Sequence, residues 1–259
     1  MPRGEPGTGP AARPPAIRNM KIINQIQWAR ILAEGAAIVF SILLAFSIDA
    51  WWERRSDAEQ ARALANGLRA DFEASQAQVG RWLAGNRRMH ESSAELLRRM
   101  REAEVGSVID IPARLLSGTV GAPTYSPTDS TYEAALSSGR IRLITSDELH
   151  DALARWRQQL ADTAEDELLL REIVVHHLVP DLAKQVRLGG VFEFDNLVGW
   201  FMGGAGTLGP GDIRLTVTPE LEGVVAERLF YLTFVVNGLA EIETTQAEIL
   251  RMLTEQPDE

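Results

Sequence analysis

Residues 31–52 read ILAEGAAIVFSILLAFSIDAWW, the only part of the chain apolar enough to leave water. Residues 35–48 carry no charge, but at about 1.5 Å per residue these fourteen cover only ~21 Å of a hydrocarbon layer roughly 30 Å thick. Extended to all twenty-two residues, the helix reaches about 33 Å and ends on Trp51 and Trp52, whose amphipathic rings suit a membrane interface. The stretch therefore predicts a single transmembrane helix. Glu34 and Asp49 then fall about 10 and 12 Å from a midpoint near Ser41, near or inside the hydrocarbon boundary. At about 100° per residue they stand some 60° apart around the helix, with Ser41 and Ala45 between them on one stripe. An ionisable group at that depth costs several kcal/mol (on the order of 3) unless it is paired or hydrated, which makes Glu34, Asp49 and Ser41 the candidate intramembrane functional residues. Arg30, one turn before Glu34, offers it an intrahelical partner, and Asp49 can snorkel to water.

Outward from the span, composition bounds the rest. Residues 1–19 hold five of the twelve prolines and three glycines, the composition of a flexible tail. Residues 20–30 interleave Ile22, Ile23, Ile26 and Trp28 with polar positions, an amphipathic lead that suits the membrane interface. No small-x-small cleavage site follows the apolar core, so a retained signal anchor is expected rather than a cleaved leader. The net charge is −10, and the first fifty-two residues carry five basic against three acidic groups, leaving about −12 beyond them. A domain so acidic repels phosphate backbones, so nucleic acid is excluded as a partner. The absence of cysteine removes disulfides and thiolate metal sites, but by itself it does not choose a compartment.

The extramembrane domain, 53–254, reads as all-α: a bundle of long helices with one glycine-rich irregular segment, followed by a loose end at 255–259. Apolar residues recur from Leu64 through Leu68, Phe72, Val79, Trp82, Leu83, Met89, Leu96, Leu97 and Met100 at intervals that are mostly multiples of three or four. One long helix is expected there, continuing directly from the span. Prolines and glycines in 105–127 break it, leaving room for a short helix near 112–117. A helix over 130–137 should stop at Gly139, a left-handed cap. Thr145 and Glu148 have capping-box spacing and predict another long helix carrying Leu149, Leu153, Trp156, Leu160, Leu168 and Leu169 on its stripe, kinked or ended by Pro180. Residues 187–218 read as irregular. Thr218-Pro219-Glu220 then opens a last helix, whose apolar run 229–236 predicts the most buried element of the bundle.

Two stretches, EGAAIVFSILLAFSIDAWWERR at 34–55 and STYEAALSSGRIRLITSDELHDAL at 130–153, resemble an uncharacterised family of bacterial single-pass membrane proteins, a domain-of-unknown-function family. That family's pattern has Gly-Glu before the apolar span, an Ile-Asn-x-Trp exit, and a later Tyr-x-x-x-x-x-Ser-Gly segment. Here Ala33 replaces the Gly and Asp49 the Asn. The resemblance implies an inner-membrane anchor and a helical domain, and no activity.

Motifs for chemistry are few. Glu172 and His176 share one helix face, yet no Glu-x-x-His occurs, so a dimetal bundle is not expected and a helix-end pair is the simpler account of His176 and His177. Gly204, Gly206 and Gly209 match a dinucleotide fingerprint, but Pro210-Gly211 follows where a helix should start. Neither a P-loop nor a Gly-x-Ser-x-Gly elbow occurs. The expectation is a non-enzymatic, membrane-anchored interaction or ligand-binding protein with no cofactor or metal. Its partners would be the lipid bilayer, further copies of itself as a homo-oligomer, and a protein or small ligand. The alternative is an oligomeric assembly with an ion or proton path around Glu34. Basic residues balance on the two sides of the span, and the short basic start of a signal anchor places the acidic domain in the periplasm.

Overall fold

A computed structural model describes residues 20–190, 198–199, 201–202 and 212–255. The expected tail at 1–19, the loose end beyond 255 and the glycines at 204–209 lie outside these residues. The chain divides into two compact units, 1–58 and 59–259.

Among the described residues the regular structure is helical apart from one two-stranded ribbon. Helix α1 runs Met20–Glu102, in agreement with an apolar span that continues into the long periodic stretch. In the first unit, 30–52 is helical and exposed almost throughout. In the second unit, Leu64, Leu68, Phe72, Val79, Leu83, Met89, Leu96, Leu97 and Met100 are all buried, so the three-and-four spacing does mark the core face.

After α1 the chain forms strand β1, Val108–Pro112, and α2, Ala113–Val120. An extended strap over 121–129 leads to α3, Ser130–Ser137, which is followed by Gly139 at φ 72° as its sequence position requires. Helix α4 covers Asp147–Ile173. A widened turn over Val174–Leu178 joins it to α5, Val179–Ala183, and strand β2, Asp212–Thr216, precedes α6, Pro219–Glu255. β1 pairs antiparallel with β2, with Val108 opposite Thr216 and Ile111 opposite Ile213, turning Ile111 and Leu215 inward. Neither strand was expected from the sequence. The alternation Ile109-Asp110-Ile111 is a period-two signal only three residues long, masked by the prolines and glycines around it.

The three long helices form the bundle. His90 on α1 meets Thr233 on α6 at 3.2 Å and Arg101 pairs with Glu222 at 3.3 Å, so α1 and α6 run antiparallel. Arg155 pairs with Glu248 at 2.5 Å and Thr163 lies against Gly238, which sets α4 antiparallel to α6 as well. One core joins α1, α3, α4 and α6 around Phe72 and Trp156, whose rings lie 4.7 Å apart. A second gathers Leu96, Met100, Ile111, Leu116, Leu178 and Leu215 around the ribbon.

Four local expectations need correction. The cap of α4 is Ser146, whose Oγ accepts from the Leu149 N–H at 3.1 Å, one residue later than the Thr145 box. Leu168 and Leu169 are exposed, because the buried stripe of α4 passes through Thr163, Glu167 and Leu170 instead. Pro180 does not end the helical path at once. The Val179 N–H bonds the Val174 carbonyl five residues back, and this wider turn accommodates a ring that has no N–H of its own. The run 229–236 is not wholly buried: Leu232 and Val235 face the core while Phe230 and Phe234 are 58% and 43% exposed. The cap read for α6 holds, with the Leu221 N–H donating to Thr218 Oγ1 at 3.2 Å.

Candidate functional site

The three residues singled out in the apolar stretch share one helix but do not form a cluster. Glu34 Oε1 accepts from Arg30 Nε at 3.0 Å, the intrahelical pair that the sequence offers. Ser41 Oγ donates to the Ala37 carbonyl at 2.8 Å, so its hydroxyl is satisfied within the helix. Asp49 is exposed and lies fifteen residues, about 22 Å, along the axis from Glu34. Trp51 and Trp52 pack edge to face at 5.7 Å, with the Arg55 guanidinium 5.8 Å from the Trp51 ring.

His176 and His177 are exposed inside the widened turn rather than at a helix end, because α5 continues to Ala183. Among the described residues no group of three or more His, Asp or Glu is placed to hold a metal ion.

The most constrained chemistry lies along the strap, a stretch whose prolines and glycines by themselves predict only a break in the helical pattern. One face of α1 carries Asp71, Ser75, Gln78 and Trp82, spaced four, three and four, and each holds the returning chain. Asp71 accepts from the Thr131 N–H at 2.7 Å. Ser75 Oγ donates to the Thr128 carbonyl at 2.8 Å and accepts from the Thr128 N–H at 2.9 Å. Gln78 donates to the Ser126 carbonyl at 2.8 Å, and the Trp82 indole N–H to the Thr124 carbonyl at 3.0 Å. From α4, the Glu167 carboxylate accepts the Tyr125 N–H at 3.0 and 3.1 Å. From α6, Gln246 donates to the Tyr125 hydroxyl oxygen at 3.1 Å. Burial pushes Glu167 up to about 7, outweighing the Tyr125 N–H and the Arg171 charge that pull it down, and burial pushes the Tyr125 hydroxyl up to about 12. The legible signal was the four-three-four row of hydrogen-bonding residues on an otherwise apolar helix face.

Where the strap begins, a cavity of about 320 Å³ opens between α1 and Val198, Phe201 and Met202. Trp82 and Met89 form one side, Gly121, Ala122 and Pro123 another, and Phe201 faces Trp82 edge-on at 5.6 Å. Two arginines hold its walls without standing among its lining residues. Arg228 of α6, wholly buried, donates through Nη2 to the Gly121 carbonyl at 2.8 Å and the Gly118 carbonyl at 3.4 Å, and through Nη1 to Ser93 Oγ at 2.5 Å. These carbonyls end α2, where the helix dipole is negative and suits a cation. Among the described residues no carboxylate balances Arg228, and burial draws its guanidinium down to about 9. On the other wall Arg88 donates to the Phe201 carbonyl, and the Phe201 ring lies against Gly85 so closely that a Cβ there would collide with it.

Compared with protein-family models, with curated proteins and with solved structures, the chain finds no match.

Proposed function

We propose that the protein is a single-pass membrane protein whose residues 31–52 lie in the bilayer and whose helical domain, from Glu59 onward, binds a protein or small ligand outside it. One observation carries this reading: an 18-residue window in α1, apolar enough to cross a membrane, has none of its residues buried. Exposed side chains such as Leu32, Phe40, Leu43 and Phe46 gain nothing from protein packing and need another apolar phase. Helix α6 is also long and apolar enough by length and composition, but its window contributes Leu232, Val235 and Leu239 to the core. The core helix of a soluble protein has that character, so a single span is the simpler arrangement.

The domain supplies cavities and surfaces, and its acidity suits basic or uncharged partners. The ion pair of Glu34 with Arg30 supports a structural role for Glu34 over an ion path around it. Membranes washed with alkaline carbonate test the anchor. The full chain should remain in the pellet, whereas release into the wash would refute anchoring. The resemblance to bacterial single-pass proteins supports an inner-membrane location with the domain in the periplasm. A phosphatase fused after Glu259 should then be active, and activity of a cytoplasm-only reporter at that position would reverse the sidedness.

A further inference from the structure

We propose that the cavity beside the strap is a binding site for an uncharged, flat aromatic molecule about the size of two fused rings. This rests on reading the helical domain as the binding part of the protein and is independent of the anchor. Size sets the first limit: an apolar cavity of roughly 150 Å³ takes up benzene, and this one, at about 320 Å³, is about twice as large. Chemistry sets the second. Among the described residues no charged side chain lines it, and the indole N–H of Trp82 is spent on Thr124, so that side chain offers its ring and not a donor. Trp82 and Phe201 already stand edge-to-face at 5.6 Å, and a third flat ring extends that arrangement better than a flexible chain does.

The walls are built independently of any ligand. Arg228 fixes the Gly118 and Gly121 carbonyls, and Arg88 fixes the Phe201 carbonyl, so both sides are held from behind. A buried guanidinium with no carboxylate beside it among the described residues is costly, and wall-holding gives Arg228 a positioning role that core packing alone does not require. Val198 and Met202, 41% and 45% exposed, stand at the rim and mark the way in.

The full chain in lipid nanodiscs can be labelled with a naphthalene carrying a diazirine, and the adducts mapped by mass spectrometry. Adducts are expected on Trp82, Met89 and Met202, reduced at least fivefold by excess 2-naphthol, and much less by 2-naphthoate or decanol. Ala122→Phe fills the cavity from the strap side and should remove the adducts. Val198→Trp blocks it from the exposed rim and does the same where Ala122→Phe fails to fold, with unchanged far-UV circular dichroism as the control. Labelling confined to 31–52, domain adducts that persist in a folded blocked variant, or displacement by decanol but not by 2-naphthol would each overturn the proposal. None of these results bears on carbonate extraction, so the site and the anchor fail separately.

Discussion

Glu167 shows how one buried carboxyl can make stability depend on pH. Its ordinary value of 4.5 rises to about 7 in the fold, so between those values the folded chain holds a proton that the unfolded chain has released. Stability from this group is therefore complete below about pH 4.5 and is lost as pH rises through 7, on the order of 3 kcal/mol in all. Glu167→Gln keeps an acceptor for the Tyr125 N–H and removes the charge. It should raise the urea midpoint at pH 8 and leave it nearly unchanged at pH 4.5, and equal shifts at both pH values would contradict this account. Arg228 is the opposite case, a cation whose partners among the described residues are carbonyls and a hydroxyl. Arg228→Ala should cost about 3 kcal/mol in the same melts, because it leaves the Gly118 and Gly121 carbonyls buried without donors. Glu34 is simpler. If Arg30 satisfies it, replacing both residues with Leu should leave membrane insertion and crosslinked assembly unchanged or improved, whereas loss of assembly in the double variant would give the pair a role beyond its own neutralisation.

At the scale of elements, α4 separates what the sequence makes legible from what it hides. Its stripe was readable through Leu149, Leu153 and Trp156, but Leu168 and Leu169 drew the reading away from the true face. That face runs through Thr163, which meets α6 at Gly238, and Glu167, which reaches the strap. Hydropathy cannot show that a carboxyl points inward when its partner is a backbone N–H forty-two residues away. Gly238 is there for proximity: a Cβ would collide with Thr163, so Gly238→Ala should destabilise by about 1–3 kcal/mol despite the higher helix propensity of Ala. Ser146→Ala should cost about 1 kcal/mol and Thr145→Ala much less, which checks the corrected cap in parallel melts. The ribbon escaped the reading because its two strands are about a hundred residues apart in sequence. The strap was harder to read because most of its bonds have a backbone group on one side, so only the four-three-four row of side chains on α1 marks it in the sequence.

For the whole molecule, the exposed apolar stretch was the most legible feature, since composition alone decides whether a segment leaves water. The cavity was the least, because its walls combine distant segments through two arginines that read as ordinary surface charge. The central claim is that 31–52 lie in lipid, and the absence of cysteine allows a direct test with unique spin labels. Single cysteines placed along this stretch, in the full chain reconstituted in bilayers, would report the collision rates of each label with oxygen and with a water-soluble nickel chelate. The account predicts that the oxygen-to-nickel ratio climbs from Arg30, peaks near Ser41 and Ile42, and falls again by Trp52. A ratio that stays low and flat along 31–52, or that oscillates every three to four residues with a water-exposed face throughout, would contradict it.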